Sequence, residues 1–550
     1  MNTPFIPPLE KFYHWERTIP QQVWLSQPQG GEWRHYTWGE AGSEIRQLAG
    51  ALTALGVKPG DRVGIYAANS ARWVMADLAI MMAGGVSVPI YSSMPEDKLR
   101  YVVEHSGLDI LLADDQGALT LDSLVDKFFG QLKILSMTNS GGQENWEAMK
   151  EKFAAIEGSP VRDVNDLWSI SYTSGTTGMP KGVMHSFNSM PFSSSQIKEV
   201  TGANEHSRFF SFLPLAHMAE RSVVELHSLY TGASIAFNES KETFIADLQA
   251  VRPTFFFSVP RIWHNLKSGI LAGIGEEKWS ELLQNPEESR AYGQEVLTSM
   301  GLDKVTFAFS GSAPIAPKDI ETWRALGMPI CEGFGQTETM SGTCNRPDKY
   351  KVGSVGFLMG DNAEVKISTL GEILLRSQGN MLGYYNDPDK TAETLVDGWV
   401  HTGDKGRIDE DGFLFITGRV KDIFKTAKGK YVAPAPIEHY FTDVPYFDQV
   451  CLVGRGMPQT MLLAVSNASL NNREKASISE ALNSKLKSVN DKLEAHERLS
   501  HIIVCSDPWT IENKLLTHTL KTLRDDVENK YREVIDRCAE EQLKPVVWAE

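Results

Sequence analysis

The sequence predicts an α/β protein. A large N-terminal domain of helix-covered β-sheets, with a barrel-like subdomain, precedes a small α+β C-terminal domain. Three observations support this. The chain has 550 residues, and a single hydrophobic core stops growing at roughly 250–300. Short apolar runs alternate with helical patterns over the first two-thirds, as expected where helices cover parallel strands. Near Gly353 the pattern changes to strands joined by glycine turns, the texture of a more antiparallel sheet.

In chain order, RVGIYA at 62–67, VSVPIY at 86–91 and DILLA at 109–113 read as strands, with helical patterns between them such as Leu48 to Leu55. The most apolar stretch, 73–91, is interrupted by Asp77, Gly84, Gly85 and Pro89. It reads as a buried helix, a turn and a short strand rather than a membrane span. Further strand-like runs are WSISYT at 168–173, SIAF at 234–237, TFFFSV at 254–259 and KVTFAF at 304–309. Residues 363–375 and 413–416 form the barrel-like part. CLVG at 451–454, LLAV at 462–465 and IIV at 502–504 are strands of the small domain, with a polar helix expected over 473–498. The sequence shows no internal repeat and no long linker, so the joint is expected in GRVKD at 418–422. The domains are then 1–419 and 420–550.

The chain is 42% hydrophobic, 23% charged and 9% aromatic, which excludes a mainly disordered protein. Its formal charge of −16 argues against nucleic acid as a partner, since that needs a basic footprint. The five cysteines are scattered without a CxxC pair, so neither a disulfide framework nor a zinc site is indicated. The N-terminus lacks the features of a secretory signal. A cytoplasmic protein is expected, with peripheral contact at the inner face of a membrane and the oligomeric state left open.

The segment SYTSGTTGMPKGVMHS at 171–186 carries the most chemistry. It follows an apolar strand. Its glycines let backbone N–H groups approach an anion closely. Its Ser and Thr hydroxyls add donors, and Lys181 adds a point charge. The loop suits a polyphosphate. It is not a Walker A loop, which needs GxxxxGK[ST], because Gly182 follows Lys181 and Gly178 stands only three residues before it.

This string resembles the phosphate loop of the acyl-adenylate-forming (AMP-binding) enzymes, which include acyl-CoA synthetases, peptide-synthetase adenylation domains and firefly luciferase. GSAP at 311–314, EGFGQTET at 332–339, HTGD at 401–404 and GRVKDIFKTAKGKYVAPAPIE at 418–438 resemble further motifs in that family's order. PLAHMAER at 214–221, VPRIW at 259–263, GKYVAP at 429–434 and LLTHTLK at 515–521 resemble the versions in long-chain fatty acyl-CoA synthetases. His518 and Asn513-Lys514 depart from that subfamily's usual proline and Asn-Gly.

The resemblance implies a role for each motif. Thr173, Ser174, Gly175, Thr176, Thr177, Gly178 and Lys181 would hold the phosphates of ATP. Gly311, Ser312, Ala313 and Pro314 would line the adenine side with Glu332, Gly333, Phe334 and Gly335, and Phe334 would stack on the base. Thr337 would donate to the α-phosphate. Glu338 would ligate magnesium, a hard cation that takes few carboxylates beside phosphate and water oxygens. Asp404 would accept hydrogen bonds from both ribose hydroxyls, and Arg419 would contact ribose and α-phosphate. On the residues alone, Asp404 also reads as a turn residue and Arg419 as half of a surface ion pair. His217 would lie beside the acyl group. Lys521 would enter the site for adenylation, and Lys421 would be the hinge, where backbone freedom matters more than side-chain chemistry. Glu220 and Arg221 are expected to pair with each other.

The implied activity is ATP-dependent conversion of a fatty acid to acyl-AMP with release of pyrophosphate, then transfer to coenzyme A. The partners are then a fatty acid, ATP with Mg2+, and CoA. Two other readings are an acyl-AMP ligase that loads a carrier-protein thiol and a catalytically silent acyl-nucleotide-binding scaffold.

Overall fold

The structure, a computed structural model, describes residues 6–115, 117, 132–138, 145–173, 179–340, 342–442, 444–466, 472–517, 521–541 and 543–549. The chain packs as two compact units, Met1–Lys366 with Leu374–His401, and Ile367–Ile373 with Thr402–Glu550.

The first unit holds two large sheets. One has nine strands in the order Phe357–Leu358, Gly342–Cys344, Ile330–Gly335, Phe307–Ser310, Phe255–Ser258, Arg208–Ser211, Ser234–Phe237, Val23–Gln29, Glu32–Thr37. Its middle strands are parallel and its edges antiparallel. The other has seven, Gly383–Tyr384, Lys181–Ser186, Leu167–Thr173, Val86–Ile90, Arg62–Tyr66, Ile110–Ala113, Lys133–Ser136. It too is parallel inside and antiparallel at the edge formed by its first three strands. The apolar stretch at 73–91 is a helix, Ala71–Met82, then the strand Val86–Ile90. The Ser70 hydroxyl caps the helix by accepting from Trp73 N–H. Every residue of this helix except Arg72 is buried, as an all-round apolar helix must be. One core cluster runs from Trp24, Phe209 and Phe257 through this helix to Val63, Ile65 and Trp168. Among the described residues no helix is long and apolar enough to cross a membrane.

The part beyond Gly353 contains a five-stranded sheet, in the order Ala363–Ile367, Glu372–Ser377, Trp399–Ile408, Leu395–Val396, with Leu414–Arg419 also paired to Trp399–Ile408. In the second unit a four-stranded sheet joins Phe447–Val453, Thr460–Ser466, Leu499–Cys505 and Val546–Ala549. Its strands alternate between two buried faces. Leu462, Ala464, Ile502 and Val504 belong to one core cluster, and Leu463, Val465, Ile503 and Cys505 to another.

Two elements differ in extent from the sequence reading. The run at 304–309 becomes a strand only over Phe307–Ser310. The helix expected over 473–498 is Asn472–Asn490. It stops where the Asn490 side chain exchanges two hydrogen bonds with the Leu499 backbone, each 2.9 Å. All five cysteines are buried free thiols.

Candidate functional site

The parallel strands Phe255–Ser258, Phe307–Ser310 and Ile330–Gly335 end at one edge, with Ser258 opposite Ser310 and Ser310 opposite Glu332. The carboxyl ends of parallel strands are where α/β sheets bind ligands. Gly311 there is buried, whereas Ser312, Ala313 and Pro314 are exposed. Ser312 adopts φ +69°, a strained value outside glycine. Ile315 returns to the interior, and its backbone N–H donates to Glu332 Oε1 at 3.3 Å. Glu332 is 5% exposed. Burial pushes its carboxyl up to about 8, against the lowering effect of the Ile315 N–H bond. At Gly333 an added Cβ would lie 2.5 Å from the Phe309 ring and 2.8 Å from the Thr343 carbonyl. Phe334 is half-buried and Gly335 exposed. Sequence segments some twenty residues apart are thus assembled into one surface.

The chain then turns through Gln336, Thr337 and Glu338. The Thr337 carbonyl accepts from His185 Nε2 at 2.6 Å. His185 is fully buried, and burial lowers its pKa to about 4. It is neutral at physiological pH, with the proton on Nε2. Glu338 Oε1 accepts from the Tyr384 hydroxyl at 2.8 Å, and its carbonyl accepts from Met381 N–H at 2.8 Å. Burial, and then the charge of Glu338, raise the Tyr384 hydroxyl pKa far above neutrality, so it remains a donor. Tyr384 pairs with Val183 on the strand Lys181–Ser186. Lys181 Nζ lies 5.4 Å from the Tyr384 ring centroid, a cation–π distance. Lys181 also stands opposite Thr173 across the sheet. The structure therefore brings Thr173, Lys181, Thr337 and Glu338 together. Ser174, Gly175, Thr176, Thr177 and Gly178 lie outside the described residues.

His217 caps the short helix Met218–Glu220, its Nδ1 accepting from Ala219 N–H at 3.1 Å. Its ring stands edge-on to Tyr91, with centroids 6.4 Å apart. The expected Glu220–Arg221 pair does not form. Successive helical residues point apart. Arg221 instead reaches both oxygens of Asp77 at 2.5 and 2.7 Å and the Ser169 hydroxyl at 2.7 Å. Glu220 Oε1 accepts from the Ser211 hydroxyl at 2.9 Å.

In the second unit Asp404 and Arg419 face each other across the pair Trp399–Ile408 and Leu414–Arg419. Arg419 Nε donates to Asp404 Oδ1 at 2.9 Å. Asp404 is 5% exposed, while Arg419 is exposed. Lys421 is exposed in the turn that follows. Lys521 is exposed as well. Its loop is closed by Thr517 N–H donating to the Lys521 carbonyl at 2.8 Å and Lys521 N–H donating to Thr517 Oγ1 at 3.0 Å. Three residues on, Arg524 anchors the segment by donating to Glu438 Oε1 at 2.6 Å and the Leu452 carbonyl at 2.5 Å. His518 lies outside the described residues.

A family model described as AMP-binding enzyme matches residues 12–385. The chain belongs to the AMP-binding enzyme family. The model of the AMP-binding enzyme C-terminal domain matches 421–542. Among curated proteins, this AMP-binding enzyme is 30% identical to fatty acyl-CoA synthetase A of Dictyostelium discoideum, over 93% of the chain and 87% of the relative. It is 30% identical to the long-chain-fatty-acid–CoA ligase FadD15 of Mycobacterium bovis, over 80% of the chain and 79% of the relative. Among solved structures, an anthranilate CoA ligase, AuaEII, in complex with anthranoyl-AMP superposes with a TM-score of 0.80 at 20% identity, covering 97% of the chain and 99% of that protein. ATP-bound MatB from Rhodopseudomonas palustris gives 0.76 at 22%, covering 96% and 100%. These two share the fold with this AMP-binding enzyme.

Sequence reasoning missed two residues of the candidate site, His185 and Tyr384, which contact Thr337 and Glu338. His185 lies within the phosphate-loop string, but a lone histidine there carries no pattern. Tyr384 lies nearly fifty residues from Glu338, and only strand pairing unites them.

Proposed function

We propose that this AMP-binding enzyme is an AMP-forming fatty acid–CoA ligase. The observation that carries this reading is the meeting of Lys181 and Glu338 at Tyr384, Lys181 being the lysine of the hydroxyl- and glycine-rich string. A cation and an acidic side chain are thereby set where a polyphosphate with its metal would sit. The relatives named fatty acyl-CoA synthetase and long-chain-fatty-acid–CoA ligase support the choice of acid and acceptor.

A fatty acid carboxylate is a poor acyl donor, because its leaving group would be oxide. Its oxygen attacks the α-phosphorus of ATP, the bond to the β-phosphate breaks, and pyrophosphate departs. The thiol sulfur of CoA then attacks the acyl carbon, loses its proton to solvent, and AMP leaves with the attacking oxygen. Such chemistry depends mainly on positioning and electrostatic stabilisation. In this scheme Thr173 to Gly178 and Lys181 cradle the phosphates, and Thr337 donates to the α-phosphate. Gly311 to Pro314 and Glu332 to Gly335 hold the adenine. Asp404 accepts from the ribose hydroxyls, with Arg419 beside it, and His217 borders the acyl group. Lys521 adds positive charge during adenylation. We take the domains as 1–419 and 420–550, with the second rotating about Lys421 between the two steps.

The donor set fits magnesium. Glu338 offers one half-buried carboxylate, and a magnesium ion that arrives with ATP needs only one or two from the protein. Held by Glu338, the ion would neutralise phosphate charge. A reducing cytoplasm suits five free thiols, and a membrane-supplied fatty acid would meet the enzyme at the inner face.

The test is a screen of carboxylic acids from short to very long, with free CoA or a carrier protein as acceptor. CoA-dependent AMP formation with fatty acids is the expected result. Thioester formation only on carrier protein would overturn the choice of acceptor.

A further inference from the structure

We propose that Tyr384 is a positioning residue for adenylation: its hydroxyl holds the Glu338 carboxylate in the orientation that receives the metal of Mg·ATP. This rests on the assignment of Glu338 above. A glutamate has three soft side-chain torsions, and ordering them on metal binding costs entropy. A hydrogen bond made beforehand removes part of that cost. The bond from Tyr384 to Oε1, at 2.8 Å, occupies one of about four lone-pair sites on the carboxylate. Acceptor capacity for a cation remains.

Tyr384 is itself fixed. Its backbone pairs with Val183, its N–H donates to Thr391 Oγ1 at 2.8 Å, and the next residue donates from its N–H to the Gly182 carbonyl at 2.7 Å. All but the Thr391 bond lead to the strand Lys181–Ser186. The same strand sends His185 to the Thr337 carbonyl. One strand thus sets three groups: Lys181 directly, Thr337 through His185, and Glu338 through Tyr384. The residue that would meet the phosphates and the residue that would meet their metal are placed from a single frame. Groups that orient a metal-binding carboxylate typically matter about 10–100-fold in metal affinity or activity.

The test is calorimetric binding of ATP to the full-length enzyme, with and without Mg2+, in wild type, Tyr384→Phe, Glu338→Gln and the double variant. Tyr384→Phe keeps the ring beside Lys181 and removes only the hydroxyl. It should bind Mg-free ATP as wild type does and lose about tenfold of the affinity that Mg2+ adds. In the Glu338→Gln background the same change should cost nothing further, because its effect runs through Glu338. A thermal melt checks the fold, and Tyr384→Leu, equally without a hydroxyl, replaces the phenylalanine if that variant does not fold. An equal loss with and without Mg2+, a full Mg2+ gain in Tyr384→Phe, or additive costs in the double variant would each overturn the proposal. A wild-type enzyme that releases no pyrophosphate from ATP and fatty acid overturns the proposed function and this inference with it. A competent wild type with an indifferent Tyr384→Phe overturns this inference alone.

Discussion

Glu220 is 1% exposed, and burial pushes its carboxyl up to about 8 despite the bond from Ser211. The folded chain keeps a proton there that the unfolded chain releases above about pH 4.3. Stability from neutral Glu220 is therefore complete below the unfolded pKa and drains as pH rises toward the folded one. Glu220→Gln has no proton to lose. Thermal melts should show similar stability near pH 5 and a more stable variant at pH 8, by at least about 1 kcal/mol. A difference independent of pH would contradict this. Asp404 gives a second prediction at this scale. Asp404→Ala deletes the acceptor proposed for both ribose hydroxyls, and a hydrogen bond to a charged group contributes about 1.5–3 kcal/mol. The KM for ATP should rise about tenfold or more, with the KM for fatty acid unchanged. If the ATP value holds, Asp404 serves only as the ion-pair partner of Arg419.

At the scale of elements, the strand Ile330–Gly335 is closely packed on the strands beside it. An alanine at Gly333 would put Cβ 2.5 Å from the Phe309 ring and 2.8 Å from a backbone carbonyl. The backbone cannot give way as a flexible side chain could. Gly333→Ala should lower the melting temperature by several degrees and weaken ATP binding, read by scanning calorimetry and titration. A variant that binds ATP as wild type does would show that the edge proposed to hold adenine tolerates displacement. The strands most legible in the sequence were the buried parallel ones, because strands covered on both faces read as continuous apolar runs. The hairpin of Val23–Gln29 with Glu32–Thr37 was not read. Its second strand, EWRHYT, is largely exposed and offers no such run. The return strand Lys181–Ser186 was taken up in the loop motif. The end of the helix at Asn490 was hidden because a bond to Leu499 decides it. Residues of the candidate site were legible where they sit in contiguous strings, such as 332–339. Tyr384 and His185 were not, since their partners come from other strands.

At the scale of the whole molecule, the proposed reaction asks one small domain to serve two half-reactions. Damage to them should then be separable. In that scheme Lys521→Ala removes the positive charge proposed to stand beside the α-phosphate, so acyl-adenylate formation should slow severely. CoA attack on acyl-adenylate supplied ready-made should be largely spared. Lys421→Pro should do the reverse, because proline fixes φ near −65° and restricts the residue before it. Pre-steady-state pyrophosphate release reports the first step, and acyl-CoA yield from synthetic adenylate the second. Equal loss of both steps in both variants would contradict two working orientations. The central claim, that a fatty acid carboxylate attacks the α-phosphorus of ATP, is tested most directly by oxygen transfer. A fatty acid carrying 18O in both carboxylate oxygens is incubated with the enzyme, Mg·ATP and CoA, and the nucleotide product is analysed by mass spectrometry. The account predicts AMP with one 18O in its phosphate and acyl-CoA retaining the other. Unlabelled AMP, or label in inorganic phosphate beside ADP, would contradict it.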